Sequence, residues 1–273
     1  MGYQSEAELE NKLIEKLKTQ GYDRVLINDY AELENNFREQ LNKFNKKALD
    51  EKPLTDKEFE RVLNILNGKS VLQSAIKLRE KIDFDREDGT KIYLKLLSEN
   101  AEDNIYQVSN QITVQGKYKN RYDVTILING LPLVQIELKR SGIDINEAIN
   151  QIDRYRIHSY RGLFHYIQIY VVSNSVETRY FANTDAQRLL KSLTFYWTTE
   201  TNERINKLED FSSSFFNKTR LLKNITRYMV INETDKNLIV MRPYQIYATE
   251  ALIRHALDTG KNGYIWHTTG SGK

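Results

Sequence analysis

The chain has 273 residues, 40% hydrophobic and 28% charged, the composition of a globular protein with room for one large domain and part of another. It has no cysteine, which excludes disulfides and thiolate metal sites and fits a reducing cytosol, and its histidines (His158, His165, His255, His267) show no ligand spacing. A formal net charge of +3 does not mark a nucleic-acid binder by itself, so any basic surface has to be local; no apolar run is long enough to span a bilayer and no signal-like start is visible, which speaks against a membrane partner.

Residues 5–20 read as a helix: Ser5 with Glu8 forms a capping box, Leu9, Leu13 and Leu17 make a stripe, and Gly21 follows the end. Residues 31–50 predict a second helix with Leu33, Phe37, Leu41 and Phe44 on one side, interrupted by Pro53. Thr55 with Glu58 caps a third, which Gly68 stops. Residues 70–105 are mixed, with a turn at Asp88-Gly89 and a short strand near 92–97. Residues 106–114 alternate and predict a strand, followed by a loop over 116–120.

Residues 122–139, YDVTILINGLPLVQIELK, are two apolar β-type runs joined by Asn129-Gly130-Leu131-Pro132. Val124, Ile126, Ile128, Val134, Ile136 and Leu138 share one face; Asp123, Thr125, Gln135, Glu137 and Lys139 share the other, provided the paired numbers sum to an even value. A three-residue loop over 130–132 would give that parity. Two carboxylates would then converge with a lysine. Carboxylates suit a hard cation such as Mg²⁺, and an ammonium can steady charge on a phosphoryl group in transfer. The same residues also make an ordinary cross-strand ion pair on a solvated hairpin face.

Ser141-Gly142 breaks the strand, and residues 143–155 predict a helix on which Gln151 and Tyr155, four apart, share a face. Residues 139–165 carry Lys139, Arg140, Arg154, Arg156 and Arg161 against Asp144, Glu147 and Asp153, with Tyr155, Tyr160 and Tyr166 interleaved. That is either a backbone-contacting surface or a plain solvated helix. Residues 163–172 form a continuous apolar run that predicts a strand buried on both faces, with 178–182 as its neighbour. Residues 185–232 read as a helical, polar bridge containing the Phe-rich stretch 211–216. Residues 237–241 read as extended, Arg242-Pro243-Tyr244-Gln245 starts a helix running to Asp258 before Gly260, and 263–267 look strand-like ahead of TTGSGK at 268–273.

The stretch RYDVTILINGLPLVQIELK resembles the nuclease domain of the restriction (R) subunit of type I restriction–modification enzymes, and its Asp123…Glu137-Leu138-Lys139 resembles the D…(E/D)xK core of restriction-endonuclease-like nucleases. Tyr122 stands where that family has proline. The opening SEAELENKLIEKLKTQGY resembles the family's first helix, where an acidic side chain can lie beside the site; Glu6 and Glu10 are its candidates. Gln151-x-x-x-Tyr155 resembles a motif shared with RecB-like nucleases, TTGSGK the phosphate-binding loop of superfamily 2 helicases (with His267 in place of the usual first glycine), and Gln245 the adenine-reading glutamine upstream of that loop.

The resemblance implies an α/β, restriction-endonuclease-like PD-(D/E)xK fold, a mixed β-sheet flanked by helices, followed by the start of a superfamily 2 helicase RecA-like domain. The implied division is an endonuclease domain over 1–195, a helical bridge over 196–235 and the motor's beginning over 236–273. It implies Mg²⁺-dependent cleavage of double-stranded DNA in a complex with methyltransferase (modification) and specificity subunits. Asp123 and Glu137 would hold the metal, Lys139 would act with them, and Gln151 and Tyr155 would support the site, Tyr155 from the surface. Gln245, Gly270, Gly272 and Lys273 would bind ATP in the full-length protein only, because the loop's Mg²⁺-holding Ser or Thr would lie beyond residue 273; the chain reads as an N-terminal fragment. A solitary repair-type nuclease–helicase and a non-catalytic docking or motor-regulating module are the alternatives.

Overall fold

The structure, a computed structural model, describes residues 5–115, 119–189 and 191–266. Local capping chemistry sets the helix starts. In α1 (Glu6–Thr19) the Ser5 side chain accepts from the Glu8 amide while Glu8 accepts from Ser5. Asp29 caps α2 (Tyr30–Phe44), and Thr55 with Glu58 forms the capping box of α3 (Asp56–Leu66). The helix α2 stops at Phe44, short of residue 50, and the chain turns through Asp50 and Glu51 at φ 49° and 60°. Within the region that reads as mixed, Ser70 and Gln73 form one more capping box, starting α4 (Val71–Arg79).

A small antiparallel hairpin follows, β2 (Lys81–Asp85) and β3 (Lys91–Lys95). Glu58 ties α3 to this hairpin's turn. Its carboxylate is 1% exposed and accepts from Arg86 Nε at 3.1 Å, Arg86 Nη2 at 3.0 Å and the Glu87 amide at 3.0 Å. The Arg86 bond, helped by both backbone amides, holds Glu58 down at about 2 against the cost of burial.

The main sheet has six strands in the order β1-β4-β5-β6-β7-β8: β1 (Asp23–Arg24), β4 (Tyr106–Gln115), β5 (Lys119–Ile128), β6 (Leu131–Leu138), β7 (Ile169–Ser173) and β8 (Thr178–Ala182). The β1–β4 and β6–β7 pairs are parallel and the rest antiparallel. The helix α5 (Ile145–His158), capped by Asp144, makes the crossover that parallel neighbours β6 and β7 require. Both faces of the central strands are covered, so β6 and β7 are buried at every position.

The apolar run 163–172 divides differently from its pattern. Residues Gly162–Tyr166 form a 3₁₀ turn and only Ile169–Ser173 is strand. Gly162 has φ 56°, and a Cβ there would lie 1.8 Å from the Tyr30 hydroxyl, which accepts from the Leu163 amide. Among the described residues of 185–207 there is one short 3₁₀ turn and no α-helix; α6 (Leu208–Phe215) and α7 (Lys218–Thr226) come after it. The Phe-rich stretch is core: Phe211, Phe215 and Phe216 are fully buried, with Phe215 against Trp197 and Tyr180. A second hairpin, β9 (Met229–Asn232) with β10 (Asn237–Val240), lies against β8, with an isolated bridge from Thr184, two residues past that strand, to Asn237. Then α8 (Pro243–Thr259) ends on left-handed Gly260, and residues 263–266 carry no strand.

Candidate active site

The β5–β6 hairpin is tight. Asn129 and Gly130 form a two-residue turn with φ 52° and 80°, the signature of a type I′ turn, in place of a three-residue loop. Gly130 is required twice over, since a Cβ would also come within 2.7 Å of the Phe37 backbone in α2. Asn129 is buried and spends its side chain on Ile105, Leu96 and Asn104. From the turn, Ile128 pairs with Leu131 and Leu127 with Pro132; then the register shifts, Leu133 is left over, and Ile126 pairs with Val134. The bulge restores the even sum, so Thr125 faces Gln135, hydrogen-bonded at 2.9 Å, and the same register carries Asp123 opposite Glu137.

Here Asp123 Oδ2 accepts from the Leu138 amide at 2.8 Å, and Lys139 Nζ donates to Glu137 Oε1 and to the Leu138 carbonyl, each at 3.1 Å. This face is not solvated: Glu137 is 0% exposed, its Oε2 meets no amide, hydroxyl or ammonium donor among the described residues, and its carboxyl lies within hydrogen-bonding reach of Asp123. Burial pushes Asp123 up to about 6; the Leu138 amide and Lys139 work against it and Glu10 adds to it. Burial, then the Asp123 charge, raise Glu137 well above the carboxylate range. Burial pulls Lys139 down, but Glu137, Asp123 and Glu6 outweigh it and hold its ammonium above the ordinary value. Two buried carboxylates, one with a bare oxygen, are a donor set that fits one hard divalent cation completed by water. Among the described residues no group of three or more His, Cys, Asp or Glu forms a fuller ligand set.

Of the two candidates on α1, Glu10 is buried and accepts from Gln111 Nε2 at 2.6 Å and Asn110 Nδ2 at 3.3 Å, while Glu6 accepts from the Arg140 amide at 3.3 Å. Asn110 and Gln111 belong to none of the motifs in the sequence. The available signal was the break in alternation along β4, where Asn110 stands at the parity of Val108 and Ile112.

Gln151 and Tyr155 do meet: Gln151 Nε2 donates to the Tyr155 hydroxyl, which donates to the Arg121 carbonyl at 3.3 Å. The Tyr155 ring is not at the surface, however. It is 6% exposed and lies edge-on against Tyr122 at 4.9 Å, because Tyr122, Tyr160 and Phe164 build an aromatic cluster under the strand that carries Asp123. Burial, then the Glu137 charge, raise its hydroxyl far above the usual tyrosine value. In the tail, Gln245 Oε1 accepts from the Arg242 amide at 3.0 Å and so serves the start of α8. Gly270, Gly272 and Lys273 lie outside the described residues.

The family model described as type I restriction enzyme R protein N terminus matches residues 3–189, and one described as type III restriction enzyme, res subunit, matches 238–273. A type I restriction enzyme endonuclease subunit of Staphylococcus aureus (strain COL) is 56% identical over 274 residues, which is 100% of this chain and 29% of that protein. The endonuclease subunit of the Escherichia coli type I enzyme EcoprrI is 41% identical over 263 residues, covering 92% of this chain and 82% of that one. A putative type I endonuclease subunit of Methanocaldococcus jannaschii is 26% identical over 97% of this chain and 30% of its own length. The chain thus spans about 29% of the staphylococcal relatives, and it belongs to the family of type I restriction enzyme R protein N termini.

Proposed function

We propose that the chain carries the nuclease centre of a type I restriction enzyme R subunit, a PD-(D/E)xK site that hydrolyses phosphodiester bonds of double-stranded DNA with Mg²⁺. The observation that carries this reading is the buried Asp123–Glu137 pair, whose bare Glu137 Oε2 lies beside an ammonium already bonded to the other oxygen. Lys139 offsets one of the two carboxylate charges; a second buried negative charge is costly, and a bound cation would supply the charge that offsets it. Asp123 and Glu137 would hold the metal. When bound, Mg²⁺ activates water and offsets charge on the phosphoryl group. Lys139 stabilises the developing negative charge, and its ties to Glu137 Oε1 and the Leu138 carbonyl keep it aimed there. Tyr155 and Gln151 stiffen β5 beneath Asp123 by gripping the Arg121 carbonyl.

The proposed division is endonuclease over 1–195, bridge over 196–235 and the motor's start over 236–273, with Gln245, Gly270, Gly272 and Lys273 on the side of ATP. The match of residues 238–273 to the type III res family supports that boundary. The whole subunit would translocate duplex DNA using ATP and take its target sequence from modification and specificity subunits in the cytoplasm. The test is Asp123→Ala in the reconstituted enzyme. Cleavage should vanish while ATP hydrolysis persists; cleavage at the wild-type rate would overturn the assignment.

A further inference from the structure

Beside the site, one residue holds a strained backbone. Gln111 lies inside β4 yet has φ 60°, the left-handed region that side chains other than Asn and Asp seldom adopt. The β4–β5 ladder pairs Asn110 with Val124 and Ile112 with Tyr122 and skips the pair between them, Gln111 and Asp123. No residue is inserted, because the register is the same on both sides of the break. The kink therefore leaves the strand register unchanged. It does accompany a specific contact. The Gln111 amide donates to Glu10 Oε1 at 2.6 Å, and its neighbour Asn110 reaches Oε2 at 3.3 Å.

Glu10 needs such a hold. It is 6% exposed, has no cationic partner among the described residues, and lies close enough to Asp123 for the two like charges to repel. Without donors on its oxygens, a carboxylate near the start of a surface helix would swing to water and away from that repulsion. Strain of this kind persists where the surrounding structure over-determines it, commonly at functional sites.

We infer that Gln111 is a positioning residue, whose kinked backbone and amide hold the Glu10 carboxylate towards Asp123 and thereby tighten binding of a divalent cation by Asp123 and Glu137. The inference rests on the nuclease reading above. Its physical content is a third negative charge, fixed in a poorly solvated site, that acts on the cation through space.

The experiment is calorimetric titration of the 273-residue chain with Mn²⁺, comparing wild type, Gln111→Gly, Glu10→Gln and the double variant. Glycine accepts φ 60°, and that relief offsets the lost contact to Glu10, so Gln111→Gly should melt within a few degrees of wild type. It should nevertheless bind Mn²⁺ about 10-fold more weakly, the size typical of losing a residue that orients a metal site. Glu10→Gln should lose a similar factor, and the double variant no more than either single, because Gln111 acts through Glu10. Unchanged Mn²⁺ affinity in Gln111→Gly, or losses that multiply in the double variant, would overturn the inference and leave the nuclease reading standing. A wild-type chain that binds no Mn²⁺ at all would overturn both.

Discussion

Changing Tyr155 to Phe removes one hydroxyl and keeps the ring between Tyr122 and Tyr160. We expect cleavage to fall several-fold in Tyr155→Phe while thermal stability drops by no more than about 2 kcal/mol, the net worth of the two hydrogen bonds its hydroxyl makes to Gln151 and Arg121. Tyr155→Ala should instead cost roughly 3–5 kcal/mol, as large aromatic deletions in cores do. Denaturant melts beside a cleavage assay separate the two, and equal stabilities would show that the ring is not core. The motif was legible at this scale; the burial of its ring was not, because four-residue spacing places two side chains on one face without saying what that face meets. Glu58 gives the pH prediction. Its carboxyl is held at about 2 in the fold against an ordinary value near 4.5, so its contribution is present above pH 4.5 and is lost as pH falls towards 2. Wild type should lose on the order of 2–3 kcal/mol across that window relative to Glu58→Gln. Parallel acid-melt curves for the two proteins would refute this.

Helices announced by capping boxes and strands announced by alternation were readable as elements, since both signals are local hydrogen bonding or local period. The helix α4 was hidden although Ser70 and Gln73 cap it, because its nine residues span too little chain for the apolar spacing of Val71, Ala75 and Leu78 to stand out. The run 163–172 reads as one strand because apolar density alone does not distinguish a strand from a buried turn; Gly162 and the Tyr30 hydroxyl decide the matter from another part of the chain. The turn of the β5–β6 hairpin gives a sharper test. Gly130→Ala would place a Cβ at φ 80° and within 2.7 Å of the Phe37 backbone, so the expected loss is roughly 2–4 kcal/mol. Thermal unfolding of this variant measures it, and a loss below about 0.5 kcal/mol would mean that α2 yields freely.

At the scale of the molecule, the mixed sheet with its helices was legible from the order of strand, hairpin, helix and buried strand. The parallel partner β1 was not, since two exposed residues carry no pattern. Nor was the reach of the core into the later chain. Leu238, Val240 and Ile246 are buried, and Tyr180 donates to the Met241 carbonyl, so the chain beyond residue 235 helps to close the sheet's β8 side. Residues 251–266, by contrast, are exposed, including Leu252, Leu257 and Trp266. A chain cut after residue 251 should therefore melt within about 2 °C of the intact one. A chain cut after residue 235 should melt at least ~10 °C lower, since each buried aliphatic side chain is worth about 1.5–3 kcal/mol. Calorimetry on the two truncations is the check, and equal melting temperatures would contradict the packing of β10 and α8.

The bulge at Leu133 bears on how such sites can be found in other genomes. With a flush ladder from the Asn129-Gly130 turn, Ile136 would stand opposite Asp123 and the glutamate would face the other way; the one unpaired residue shifts the frame back. The interval between the aspartate and the glutamate is therefore a property of turn and bulge together and not of the chemistry. A homologue that lacks the bulge would keep the same pair of carboxylates with one residue fewer between them. A pattern search with a fixed gap would miss it, whereas a search that lets the gap vary by one residue and asks for a two-residue turn in the middle would find both.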